Sequence, residues 1–209
     1  MTPRCLRSGS IGPLARVAVV VLALALGLWT SAPTAGEPGT TPAPTPASNE
    51  TEAPGAAQRA AALLQPFKQD LQQALREGLA RGPVEAVAAC RLRAPEIARA
   101  QSRDGVRLGR SSHRLRNPAN APPDWVAPVI DDWLTHPEDR APRTLPLGEG
   151  RTGYVEPILL QPLCLSCHGD AIAPDLAARI EHLYPEDRAT GFHVGELRGV
   201  FWVELPDPD

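Results

Sequence analysis

Apolar positions along the chain fall into helical, alternating and continuous patterns, and each pattern predicts an element. Leu64, Phe67, Leu71, Leu75 and Leu79 recur at helical spacing, with Lys68, Asp70, Arg76 and Glu77 off that face, so a helix is expected from near Ala57. Pro66 marks either the start of its main part or a kink. Gly82-Pro83 ends it and opens a second helix to about Gln101, with Val87, Cys90, Ala94 and Ile97 on one face. Residues 102–105 (SRDG) read as a turn and residues 106–111 alternate like a strand. Asp124 is placed to cap a helix reaching Thr135, with Trp125, Val129 and Trp133 on one side. Residues 136–150 are polar and Pro-rich, the pattern of a loop. Residues 152–163 are β-like, and Pro157 and Pro162 point to an edge or bulged strand. Pro174 opens a helix to about Leu183. Residues 192–194 and 199–205 predict two strands joined around Gly195-Glu196; Val200, Phe201, Trp202 and Val203 are apolar on both faces, which suits a central strand.

The N-terminal third has a different character. Arg4, Arg7 and Arg16 precede thirteen apolar residues from Val17 to Trp29, and residues 31–36 are mostly small. A run this short suits an export signal better than a membrane span of about 20 residues, with an uncleaved anchor as the alternative. Cys5 lies ahead of the apolar run, so it is no lipidation cysteine. The Pro-, Thr- and Ala-rich stretch that follows cannot bury enough apolar surface to fold. The chain therefore divides into residues 1–35 (signal or anchor), 36–56 (spacer) and 57–209 (one folded domain). The 209 residues carry a net charge of −3, with no basic surface for nucleic acid; membrane contact is expected only if the leader is retained.

The chemistry is concentrated in Leu163-Cys164-Leu165-Ser166-Cys167-His168-Gly169. Cys-x-x-Cys-His is the attachment motif of c-type haem: two thiols at this spacing reach the two vinyl groups of one porphyrin, and the following imidazole is held beneath the iron. Three other readings compete: a redox disulfide, a small structural disulfide, and a zinc site of Cys164, Cys167, Cys90 and His168. Adjacent Cys167 and His168 would bind one tetrahedral ion awkwardly, and export favours haem. Cys90, on the apolar stripe of its helix, is either a small core residue or an iron ligand. Met1 is the only methionine, so the mature chain cannot use His/Met ligation. His113, His136, His182 and His193 are the other candidate ligands, with His193, in a predicted strand, the best placed. Arg110, Arg114 and Arg116 are candidates for pairing with haem propionates, against the plainer reading of a solvated basic loop.

Several further stretches, taken with the motif, carry a resemblance: Ala86-Val87-Ala88-Ala89-Cys90 followed by Ala94-Pro95-Glu96-Ile97-Ala98; Gly109-Arg110-Ser111-Ser112 running to Arg116-Asn117-Pro118-Ala119-Asn120; and Tyr184-Pro185-Glu186-Asp187-Arg188-Ala189-Thr190-Gly191-Phe192. In these the chain resembles exported single-haem c-type proteins with a PAS-like fold, a domain found alone and as the extracytoplasmic sensor of signalling proteins. The resemblance spans about Leu71 to Leu205. It implies an α+β fold, a PAS-like antiparallel sheet flanked by helices, with the N-terminal helices packed on the haem domain. It also implies axial ligation of one covalent haem c by His168 and, across the ring, Cys90.

A thiolate donor stabilises the ferric state, so a low reduction potential is expected. On reduction the thiolate can take a proton and leave, opening a position for CO, NO or O2. The function expected is a redox or gas sensor passing its state to a partner protein, the alternative a periplasmic electron-transfer cytochrome. No catalytic triad, paired-acid motif or phosphate loop is present, so an enzyme is not expected.

Overall fold

The computed structural model describes residues 55–208. The expected leader, Cys5 and the spacer up to residue 54 lie outside the described residues.

Two helices open the domain. α1 (Ala56–Leu79) starts where Gly55 donates its N–H to the Gln58 side-chain oxygen, and it runs through Pro66 without ending. α2 (Pro83–Gln101) follows a turn at Gly82, whose φ of 120° suits glycine, with Pro83 in its first turn. The two helices approach closely: a Cβ on Gly78 would lie 2.6 Å from the Cα of Ala86. After them come β1 (Arg107–Ser111), α3 (Ala127–Thr135), β2 (Arg143–Gly148), β3 (Arg151–Leu159), α4 (Leu165–His168), α5 (Pro174–Leu183) and β4 (Leu197–Pro206). The architecture is α+β: an open antiparallel sheet in the order β1-β4-β3-β2 with five helices among the described residues.

Three expectations need correction. Residues 143–148 are strand β2, not loop; the strand is at the sheet edge, where Pro146 costs no ladder bond on its open side. Residues 192–194 are not a strand: the last strand starts at Leu197, and His193 lies in the turn before it. α3 starts at Ala127 and is preceded by a turn in which Val126 N–H donates to the Pro123 carbonyl, so Asp124 does not cap it. β4 is central, between β1 and β3. Pro157 of β3 pairs with Val200 beyond the last β2 partner, Val155, so the strand is locally an edge there.

Each face of the sheet buries its own core. Leu108, Tyr154, Val203 and Leu205 pack with Leu64 and Phe67 of α1 and Ile97 of α2. Val155, Val200 and Leu197 pack with Val126, Val129, Ile130 and Trp133 at α3. Lys68 reaches from α1 to Glu156 of β3 at 2.5 Å, an ion pair largely sheltered from water. The Gly109-Arg110-Ser111-Ser112 stretch earns its small residues here. A Cβ on Gly109 would lie 2.7 Å from the Trp202 ring, Ser111 Oγ accepts from Trp202 Nε1, and Ser112 Oγ donates to the Arg198 carbonyl at 2.7 Å. Among the described residues no helix is long and apolar enough to cross a membrane.

Candidate functional site

The Cys-x-x-Cys-His segment follows β3 through a short turn at Pro162–Cys164 and forms the single-turn helix α4. Gly169 ends it. Its N–H donates to the Leu165 carbonyl at 2.8 Å, and a Cβ there would collide with that carbonyl. The segment before β4 then pairs with the motif: Phe192 N–H donates to the His168 carbonyl and Gly191 N–H to that of Gly169. The two motif thiols lean on different apolar clusters. Cys167 packs with Val87 of α2 and Leu176 and Ile180 of α5; Cys164 packs with Leu160, Ala189 and Phe192. Both are half-buried free thiols, as is Cys90.

His168 is held from behind. Its Nδ1 lies 2.7 Å from the Ala189 carbonyl oxygen and 3.3 Å from Arg198 Nε. A carbonyl can only accept, so the shorter contact puts the ring proton on Nδ1 and makes the Arg198 contact a close approach, not a hydrogen bond. Nε2 is then the nitrogen with a free lone pair. Burial and the Arg198 and Arg116 guanidiniums push the His168 pKa down to about 3, so the ring is neutral.

Cys90 is within electrostatic reach of Cys167, Arg110 and Arg116. It lies one turn after Val87, which packs in the same cluster as Cys167. Burial pushes its thiol pKa up, partly offset by Arg110. α2 therefore divides its apolar stripe: Ile97 serves the sheet core, while Val87 turns toward α5 and the motif. The zinc reading finds no support in the geometry, because no group of three or more His, Cys, Asp or Glu side chains is gathered for a metal ion among the described residues.

The other histidines are poorly placed as ligands. His193 is 71 % exposed and sits against Glu196, which corrects its expected place in a strand near the core. His136 pairs with Asp132 on the surface, His182 is exposed on α5, and His113 stands edge-on to Phe192.

The three arginines expected near propionates differ. Arg114 donates to the backbone carbonyls of Arg188, Thr190 and Gly191 and lies 4.2 Å over the Phe192 ring. Arg116 pairs with Asp187 at 3.1 Å and donates to the carbonyls of Cys167 (2.5 Å) and Ala189. Arg116 joins the motif to the 187–189 segment, and Arg114 joins its own loop to the 188–191 segment. Arg110 alone of the three makes no hydrogen bond or ion pair among the described residues. A fourth, Arg198, was not anticipated, although a single arginine inside the apolar run Leu197–Val203 was a visible signal. Burial, then Arg110 and Arg116, push its pKa down to about 9.

These donors fit the group that the motif predicts: two free thiols at thioether spacing, a neutral imidazole with its Nε2 lone pair available, and cationic side chains close by. The Tll0287-like family model matches residues 47–206. Among solved structures, the crystal structure of the cyanobacterial heme-protein Tll0287 is 24% identical, with a TM-score of 0.48, covering 68% of this chain and 93% of that one. No curated protein matches the chain.

Proposed function

The chain belongs to the Tll0287-like family, and from the arrangement around α4 we propose that it carries one haem c on Cys164 and Cys167, with His168 and Cys90 as axial donors, and acts outside the cytoplasm as a redox or gas sensor module. The observation that carries this reading is the tautomer of His168: its proton is committed to the Ala189 carbonyl, so Nε2 is left to donate, in a residue that directly follows two free thiols. Haem, when bound there, supplies a one-electron iron couple. The helical pair on one face of the sheet and α3 on the other support a PAS-like reading of the fold.

Cys90 fits the second axial role because it is a half-buried thiol near Cys167. Burial alone keeps such a thiol protonated; a cation is needed to make it a thiolate donor. A thiolate favours the oxidised metal, so a low potential is expected. The sensor reading rests on where Cys90 sits. α2 packs along α1, and α1 begins directly after the spacer that follows the leader, so a change at Cys90 has a mechanical route to the N-terminal end of the domain. Electron transfer to a partner is the second reading, favoured by Leu163 (65%) and Leu159 (39%), large apolar side chains left exposed beside the motif. The role is proposed as non-enzymatic.

The test is the full chain produced in a host that matures c-type cytochromes. Colour that survives acid-acetone extraction, and a Cys90→Ser variant that loses the thiolate features of the oxidised spectrum, support the reading. A colourless chain overturns it. Uptake of CO by the reduced protein, with loss of the Cys90 signature, favours the sensor; an unchanged donor set in both oxidation states favours the carrier.

A further inference from the structure

We infer that Arg198 and Arg110, and not Arg114 or Arg116, form the carboxylate-binding seat of this site, each taking one propionate of the haem; this rests on the haem reading above. Four guanidiniums converge around α4, and their partners divide them cleanly. Arg116 is neutralised by Asp187 at 3.1 Å, with both side chains almost fully shielded from water. The donors of Arg114 go to three backbone carbonyls of the 188–191 segment. Arg114 has all three of its nitrogens engaged, and Arg116, with its charge already met by Asp187, keeps only Nη1 without a partner among the described residues.

Among the described residues Arg198 and Arg110 form no ion pair; Asp187, already paired with Arg116, only lies within electrostatic reach of Arg198. Arg198 is half-buried at the start of β4, over the face of Phe192 at 5.4 Å. Its polar neighbours are the proton-bearing Nδ1 of His168 at 3.3 Å, which cannot accept, and the Arg114 carbonyl at 3.5 Å, the limit of a hydrogen bond. Arg110, near the end of β1, is opposite Phe201 in the sheet and makes no hydrogen bond or ion pair among the described residues, yet it is close enough to Cys90, His168 and Arg198 to influence the charge on each. Partial burial of a guanidinium costs free energy that hydrogen-bond acceptors or an anion must offset, and neither Arg198 nor Arg110 has the set of carbonyl acceptors that Arg114 has. Two cations without an ion-pair partner beside one attachment motif match a dianionic ligand, and a c-type porphyrin brings two propionates to this place. The planar fork of arginine suits each carboxylate.

Full-length protein matured with haem tests this, with Arg198→Leu, Arg110→Leu, Arg198→Lys and, as a control, the exposed Arg93→Gln. The readouts are the propionate bending bands in resonance Raman spectra and the reduction potential, neither of which depends on partner or activity. The expected result is shifted bands and a lower potential in both leucine variants, because removing a cation favours the ferric state. Arg198→Lys should shift the bands with less change in potential, and it keeps the test alive if Arg198→Leu does not accumulate. Arg93→Gln should match the parent. Unchanged bands and potential in Arg198→Lys and Arg110→Leu would overturn this inference while leaving the haem reading intact. A parent chain without covalent haem would overturn both.

Discussion

The imidazole Nδ1 of His168 lies 2.7 Å from the carbonyl oxygen of Ala189, twenty-one residues further along the chain. That contact fixes the tautomer, and it exists because the 189–192 segment folds back on the motif through bonds from Gly191 and Phe192. Nitrogen NMR of a chain with Cys164→Ser and Cys167→Ser, which can form no thioether, should therefore find the His168 proton on Nδ1. A proton on Nε2 would mean that the ring is not preset for donation.

Arg116 is the clasp that brings these two segments together. Its guanidinium joins the Asp187 carboxylate to the carbonyls of Cys167 and Ala189. Removing one partner of a shielded pair leaves the other charge unsatisfied, at a cost of about 3–5 kcal/mol. Arg116→Ala and Asp187→Ala should each lower stability by that order in urea titrations and reduce the yield of pigmented protein. The double variant should lose clearly less than the sum.

Much of this was legible in the chain. Proline at the first turn placed α2 and α5 within a residue or two of their true bounds, and the apolar run 200–203 identified the central strand. Edge strand β2 was hidden because only one of its faces is covered and Pro146 interrupts it. The place of His193 was misjudged because a two-residue apolar match around it looked like a strand, whereas Gly195, with a φ of 85°, makes a turn. The division of labour among the arginines could not be read at all. It depends on the Asp187 carboxylate and on backbone carbonyls of residues 188–191, whose proximity only the fold creates.

At Gly199 β4 runs close against the end of β1. A Cβ there would sit 2.3 Å from the carbonyl oxygen of Ser111, a backbone atom that cannot swing aside. Gly199→Ala should destabilise the domain by about 1–3 kcal/mol or more, measured by denaturant unfolding. A neutral result would mean that the two strands separate more easily than their register indicates.

Asp132 ties α3 to β2 through Arg143 at 2.6 Å. The Arg143 hydrogen bond, then His136, hold its carboxyl below the ordinary value of 3.8. Because the folded pKa is the lower one, the unfolded chain takes up this proton first on acidification. The contribution is thus fully present above about pH 4 and is lost as pH falls through the folded value. The pair is open to solvent and its effect small. Asp132→Asn should remove this small contribution at pH 7 and flatten the acid limb of a stability-against-pH curve by the same small amount.

The central claim is that Cys164 and Cys167 together hold one porphyrin, each through its sulphur. Intact mass spectrometry of the full chain, matured in a host that attaches c-type haem, tests it most directly. The account predicts the processed polypeptide plus one haem, with the added mass mapping to the peptide that contains Cys164–His168 and absent from the Cys164→Ala, Cys167→Ala variant. An unmodified chain, or one whose two cysteines are found joined in a disulfide, would contradict it.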